Sequence, residues 1–137
     1  MPGGDEIRDV QRATWAGLSA GWEKWDSVIM NQLGPVGTAM IERLGITDDQ
    51  QHLDIAAGTG EPGLTVARLA PGGHVVLTDL AAEMLGIATR RANAQGITNV
   101  ETRVCSAALR GGPARARRIY ARLGDPAHPC QAGSRRT

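Results

Sequence analysis

The 137-residue chain contains no phenylalanine, and aromatic residues of all kinds make up only 3% of it. Its three tryptophans, Trp15, Trp22 and Trp25, all lie near the N-terminus, and Tyr120 is the one tyrosine. Cysteine is almost as scarce. Cys105 and Cys130 alone give no disulfide framework. His52, His74 and His128 share no ligand spacing with them, so no metal site is expected and solvated or packed imidazoles are. No run approaches the ~20 apolar residues of a membrane span, and no signal-peptide pattern opens the chain, which points to a cytoplasmic location. The length leaves room for one domain.

Charge is unevenly divided along the chain. The net charge of +1 conceals an asymmetry. Through Cys105 there are 8 basic and 13 acidic residues; from Ser106 onward there are 7 arginines and one acid, Asp125. The same point marks a change in composition, because Arg, Gly, Pro and Ala supply 21 of the last 32 residues.

What is present is concentrated in ten residues, Asp54-Ile55-Ala56-Ala57-Gly58-Thr59-Gly60-Glu61-Pro62-Gly63. Residues 53–57 are too few for a helix and read as a strand buried on both faces. Gly58 and Gly60 allow positive φ and let backbone N–H groups approach a ligand with no Cβ in the way. Pro62 suits the first turn of a helix over 62–69, whose free N–H groups and positive dipole end would aim back at the turn. A ligand there is expected to carry a carboxylate or phosphate. A second apolar run, 74–77, leads to Asp79, nineteen positions past Gly60. An acid at that strand end can accept hydrogen bonds from two ribose hydroxyls.

Two cofactors compete for this layout. Gly58-Thr59-Gly60-Glu61-Pro62-Gly63 satisfies the dinucleotide pattern G-x-G-x-x-G, so an NAD-dependent oxidoreductase half-domain is one reading. Against it, Asp54 and Glu61 place two negative charges where a diphosphate would lie, and about fifty residues precede the first strand. S-adenosyl-L-methionine, with its cationic ammonium, fits those observations better.

Four segments resemble one family, the class I S-adenosylmethionine-dependent methyltransferases, in the branch related to ubiquinone and menaquinone biosynthesis. They are Gly21-Trp22-Glu23-Lys24-Trp25, the stretch 53–65, the stretch 76–85 and Gly96-Ile97-Thr98-Asn99-Val100-Glu101. The resemblance spans about residues 15–105. It implies an α/β fold in which N-terminal helices precede a partial Rossmann-like, doubly wound parallel sheet of strand order 3-2-1, incomplete at the C-terminus. It also implies that Asp54, Ala56, Ala57, Gly58, Thr59 and Gly60 line the methionine side of the cofactor. Asp79 would then bind ribose, and Leu80 with Met84 would flank adenine. Ser106 stands where the family usually has an acid beside adenine. The acceptor is expected to be a small molecule, and no residue is singled out as catalytic.

The rest of the chain is read around that motif. Residues 5–33 read as a helix with Trp15, Leu18, Trp22, Trp25 and Ile29 on one stripe, expected to be core. By the resemblance, Trp22 or Trp25 could also serve a lid. Gly34-Pro35 is expected to break the helix, and 36–44 to form a second one that packs Val36, Met40, Ile41 and Leu44 and stops at Gly45. Residues 81–95 read as a helix capped by Gly96, and 99–105 as a third strand. This divides the chain into a helical lid over 1–50, a cofactor half-domain over 51–105 and a disordered basic tail over 106–137, with a short basic helix readable at 114–123. A reading-frame shift or truncation near Cys105 is favoured for the tail. A nucleic-acid-binding basic arm on a non-catalytic fragment, or a linker to a partner, are the alternatives. Without a fourth strand, residues 53–57 would form an open edge, which predicts a poorly stable chain unless it dimerises there.

Overall fold

The computed structural model describes residues 1 and 3–106. Helices α1 (Gly4–Lys24) and α2 (Asp26–Leu44) come first. Then follow β1 (Gln51–Ile55), α3 (Gly63–Leu69), β2 (His74–Asp79), α4 (Ala82–Ala94) and β3 (Val100–Val104). The three strands are parallel with β2 in the middle: Leu53 lies opposite Val76, and Val76 opposite Glu101. The expected order 3-2-1 and the partial Rossmann-like α/β architecture are therefore observed.

Alternation along β2 decides where the core sits. Val75 and Leu77 point to one face and are fully buried, together with Leu64 of α3 and Ala88 of α4. Met84, Leu85, Ile87, Ala88 and Ala92, spaced at helical steps, supply the buried stripe of α4. Burial of one leucine side chain is worth about 1.5–3 kcal/mol, so Leu64 and Leu77 anchor this layer. Gly96, at φ 67°, ends α4. Its N–H donates to the Asn93 carbonyl at 3.1 Å and that of Ile97 to the Ala92 carbonyl at 2.9 Å. These two bonds satisfy carbonyls that the helix end would otherwise leave open.

The N-terminal helices depart from expectation in two ways. The chain bends at Trp25 (φ −99°, ψ 16°), and Gly34-Pro35 lies inside α2. Pro35 deprives the Asn31 carbonyl of its helical donor. Asn31 is exposed, so water can meet that carbonyl, and the turn stays helical. The tryptophan stripe is also not core. Neither helix has a buried residue. Trp25 is 56% exposed, and Trp15, Leu18, Val36, Met40 and Leu44 are exposed as well. Only Ile41 of that second group reaches the core layer. The reason is spatial: α1 packs on α4, and between the helices and the glycine turn there is a cavity where a solid core was expected.

β1 has a strand partner on one side only among the described residues. The readings made for 107–137, including the basic helix and the disordered tail, lie outside the described residues.

Candidate functional site

Backbone pairing carries on past the end of β1. The Ala57 N–H donates to the Thr78 carbonyl at 2.9 Å, which ties the start of the turn to β2. Ala56 then sits at φ 60°, a left-handed conformation that costs a side chain on the order of 1 kcal/mol or more. Gly58 (φ 53°) and Gly60 (φ 113°) follow. Gly63 is needed for a different reason. A Cβ there would lie 2.3 Å from Leu77 Cδ2 and 2.7 Å from Asp54 Oδ2, so its absence lets α3 press onto the sheet.

The donors at the start of α3 are already used. Gly63 N–H donates to Asp54 Oδ2 at 3.0 Å, and Thr65 donates to Glu61 Oε2 through its N–H (3.2 Å) and its hydroxyl (2.8 Å). Leu64 and Val66 N–H groups donate to the carbonyls of Gly60 (2.8 Å) and Pro62 (3.0 Å). The expectation that this helix end awaits an anionic ligand is therefore corrected: two of the chain's own carboxylates occupy it.

Those carboxylates make the turn electronegative. Burial pushes the Asp54 carboxyl up from its ordinary 3.8 to about 6; the Gly63 N–H bond opposes that shift, and the nearby Glu61 and Asp79 charges add to it. Asp79 is fixed by two backbone donors, Gly58 N–H to Oδ2 and Ala81 N–H to Oδ1, both at 2.9 Å. Each carboxylate oxygen can accept more than one bond, so capacity for a ligand's hydroxyls remains.

Beside the turn lies a cavity of about 840 Å³, within the size range of small-molecule sites. Of the residues expected to contact a cofactor, Ala56, Ala57, Gly58, Thr59, Asp79, Leu80 and Met84 line it. Asp54 and Gly60 are not on its wall; they support the turn from behind. Ser106 is not on the wall either, whereas its neighbour Cys105 is. The opposite wall comes from α1 and α2, through Trp15, Trp22, Met30, Leu33, Met40 and Ile41. Trp15 and Trp22 meet edge to face there, with centroids 6.1 Å apart.

Among the wall residues that escaped the sequence reading are Asp26, Arg91 and Gln95. Arg91 Nη1 donates to Thr59 Oγ1 at 3.2 Å and lies 2.8 Å from Asp26 Oδ1. In the sequence it stands seven residues after Met84 and three after Ala88, on the inward stripe of α4, and that helical spacing is the signal that could have found it. Among the described residues no cluster of His, Cys, Asp and Glu could hold a metal ion, and no helix is long and apolar enough to cross a membrane.

Comparison with known proteins agrees with this geometry. Residues 53–120 match the methyltransferase-domain family, a match that continues past Cys105. A demethylmenaquinone methyltransferase of Thermus thermophilus is 49% identical over 45 residues, covering 33% of this chain and 20% of that protein. An uncharacterized protein of Mycobacterium tuberculosis is 35% identical over 79 residues, covering 56% of this chain and 28% of its own. The chain thus spans less than a third of the length of these relatives. Among solved structures, a phosphoethanolamine N-methyltransferase of Haemonchus contortus in complex with phosphoethanolamine and S-adenosylhomocysteine superposes with a TM-score of 0.62. That likeness covers 77% of this chain and 23% of the other at 18% identity, and is a likeness of fold.

Proposed function

We propose, from the premise that residues 53–120 belong to a class I methyltransferase domain, that the cavity binds S-adenosyl-L-methionine for methyl transfer to a small-molecule acceptor. The observation that carries this reading is the state of the glycine turn. Its helix donors are taken by Asp54 and Glu61, and a third carboxylate, Asp79, stands on the cavity wall. A diphosphate would meet negative charge and few free amides. A ligand with a positive ammonium and sulfonium and a ribose diol meets favourable partners.

When bound, the cofactor supplies an activated methyl group on a sulfonium, which a nucleophilic acceptor atom attacks in line. The chain's residues have the task of alignment and water exclusion. Asp79 would hold the ribose hydroxyls, its own position fixed by the Gly58 and Ala81 N–H groups. Ala56 to Thr59 would bound the methionine moiety, and Asp54 would contribute negative potential from behind the turn. Leu80 and Met84 offer apolar surface to adenine, with Cys105 on the wall and Ser106 next in sequence. Residues 1–50 would act as the cover, whose Trp15 and Trp22 narrow the space left for solvent and acceptor.

Calorimetric titration with S-adenosylhomocysteine tests this reading, on the wild type and on Asp79→Asn. Asn keeps a backbone-accepting oxygen but loses the charge. The expected result is binding by the wild type, an affinity at least tenfold lower in the variant, and a lower melting temperature, because the Asn amide nitrogen faces one of the two backbone donors that Asp79 satisfies. NADH binding in preference to S-adenosylhomocysteine would replace the reading with the dinucleotide one.

A further inference from the structure

Two consecutive arginines on α4 reach across to the bend between α1 and α2. Arg90 Nη2 contacts both carboxylate oxygens of Glu23, at 2.8 and 3.0 Å. Arg91 Nη1 lies 2.8 Å from Asp26 Oδ1. Glu23 and Asp26 flank Trp25, so each helix of the cover is gripped next to its bend. The two grips differ in one respect. Neither Arg90 nor Glu23 lies on the cavity wall, whereas Arg91 and Asp26 both do. Arg91 also takes hold of the glycine turn, with Nη1 3.2 Å from the Thr59 hydroxyl and 3.4 Å from the Thr59 carbonyl.

Thr59 is a stiff place to attach. It is 7% exposed and sits between Gly58 and Gly60, whose positive φ values fix the orientation of the peptides on either side. A guanidinium that satisfies Thr59 and Asp26 together is held in one geometry, with its side chain only 20% exposed.

We infer that Arg91 is a positioning residue that couples the cofactor turn to the helical cover, so that filling the pocket and seating the cover are one linked event. This rests on the cofactor reading above. The physical basis is the shared cation. If the turn shifts, Arg91 loses Thr59 and its hold on Asp26 changes; if the cover lifts, Asp26 leaves and the turn loses part of its support. Linkage is reciprocal: a ligand that settles the turn favours the seated cover, and a seated cover raises ligand affinity. The pair is partly exposed, so the coupling weakens as salt rises.

All three tryptophans lie in the cover or at its bend; Trp15 and Trp22 also line the cavity, so tryptophan emission reports the cover together with the ligand seated against it. S-adenosylhomocysteine would be titrated into the full chain, wild type, Arg91→Gln, Asp26→Asn and the double variant, with calorimetry and tryptophan emission read together. In the wild type, binding is accompanied by a change in emission. Each single variant binds about tenfold more weakly and loses the emission change. The double variant is no worse than Arg91→Gln, because both substitutions break the same link. Arg90→Gln alters the emission of the free protein yet keeps the ligand-induced change. Wild-type affinity in Arg91→Gln, or effects of the two substitutions that add as independent ones, would overturn the inference while leaving the cofactor reading intact. Should Arg91→Gln fail to fold, Asp26→Asn decides alone, and unchanged affinity and emission response in it overturn the coupling. A wild type that does not bind S-adenosylhomocysteine overturns both.

Discussion

Asp54 is held between two demands. Its carboxylate caps α3 through Gly63 N–H, which favours the charged form, while burial beside Glu61 and Asp79 disfavours it more. With a folded-state value near 6 against an ordinary 3.8, the folded protein binds this proton more tightly than the unfolded chain does. The contribution to stability is therefore full below about pH 4 and is lost as pH rises through about 6. A shift of about two units corresponds to ~3 kcal/mol at most. Denaturant melts of wild type and Asp54→Asn across pH 4 to 7.5 should show the difference between them shifting in favour of the variant by up to that amount (about 3 kcal/mol). Cofactor affinity should run the other way. The ligand's ammonium group favours an ionised carboxylate nearby, so binding of S-adenosylhomocysteine by the wild type should tighten as pH rises through about 6, and Asp54→Asn should flatten that slope.

Gly63 makes a sharper prediction at the same scale. Its missing Cβ is replaced in space by Leu77 Cδ2 and Asp54 Oδ2, and Leu77 is fully buried with nowhere to move. Gly63→Ala should cost about 1–3 kcal/mol of stability, as overpacking does, and reduce ligand affinity by displacing Asp54. A variant with unchanged melting behaviour would mean that the turn yields more readily than these distances allow. The need for glycine at 58 and 60 was legible in the sequence, because a strand followed by a G-x-G turn has few other geometries. The need at 63 was legible as a motif position, but its cause, the tip of Leu77, depends on packing between residues fourteen apart in sequence.

At the scale of elements, the strands and the last two helices could be read because local signals and tertiary packing agree. β2 is apolar on both faces and buried on both; α4 has a buried stripe and a glycine stop. The first two helices could not be placed so well, for two physical reasons. Several of their apolar residues, Trp15, Trp22, Met40 and Ile41 among them, line a cavity, and a cavity wall has the same periodicity as a core. Their boundary at Trp25 carries no glycine or proline, and Glu23 and Asp26 on either side of it meet Arg90 and Arg91 far along the chain. Conversely Gly34-Pro35, the strongest local breaker, is overridden within α2. A proline inside a helix costs roughly 3 kcal/mol relative to alanine. Pro35→Ala should therefore raise the helical signal in circular dichroism and stabilise the cover by about 1–3 kcal/mol. If Gly34-Pro35 marked a true helix end, the substitution would change neither.

For the whole molecule, β1 and β3 are both open edges of the sheet among the described residues, and the β1 edge is the one that adjoins the cavity. β1 pairs with β2 alone, and Ile55 at its end is 55% exposed. An unpaired parallel edge carries N–H and C=O groups able to take up a further strand, and an apolar side chain on it adds a reason to do so. We expect that this edge governs the self-association of the chain. Ile55 is also on the cavity wall, so the edge and the mouth of the site share a residue. A lysine on an edge strand opposes strand addition through its charge and its solvation. Sedimentation of the wild type over a range of concentrations should show association that Ile55→Lys diminishes, with helix and strand content by circular dichroism retained. Equal association in both proteins would move the contact to the exposed apolar residues of α1 and α2, and Leu18→Glu would then be the substitution that separates the copies.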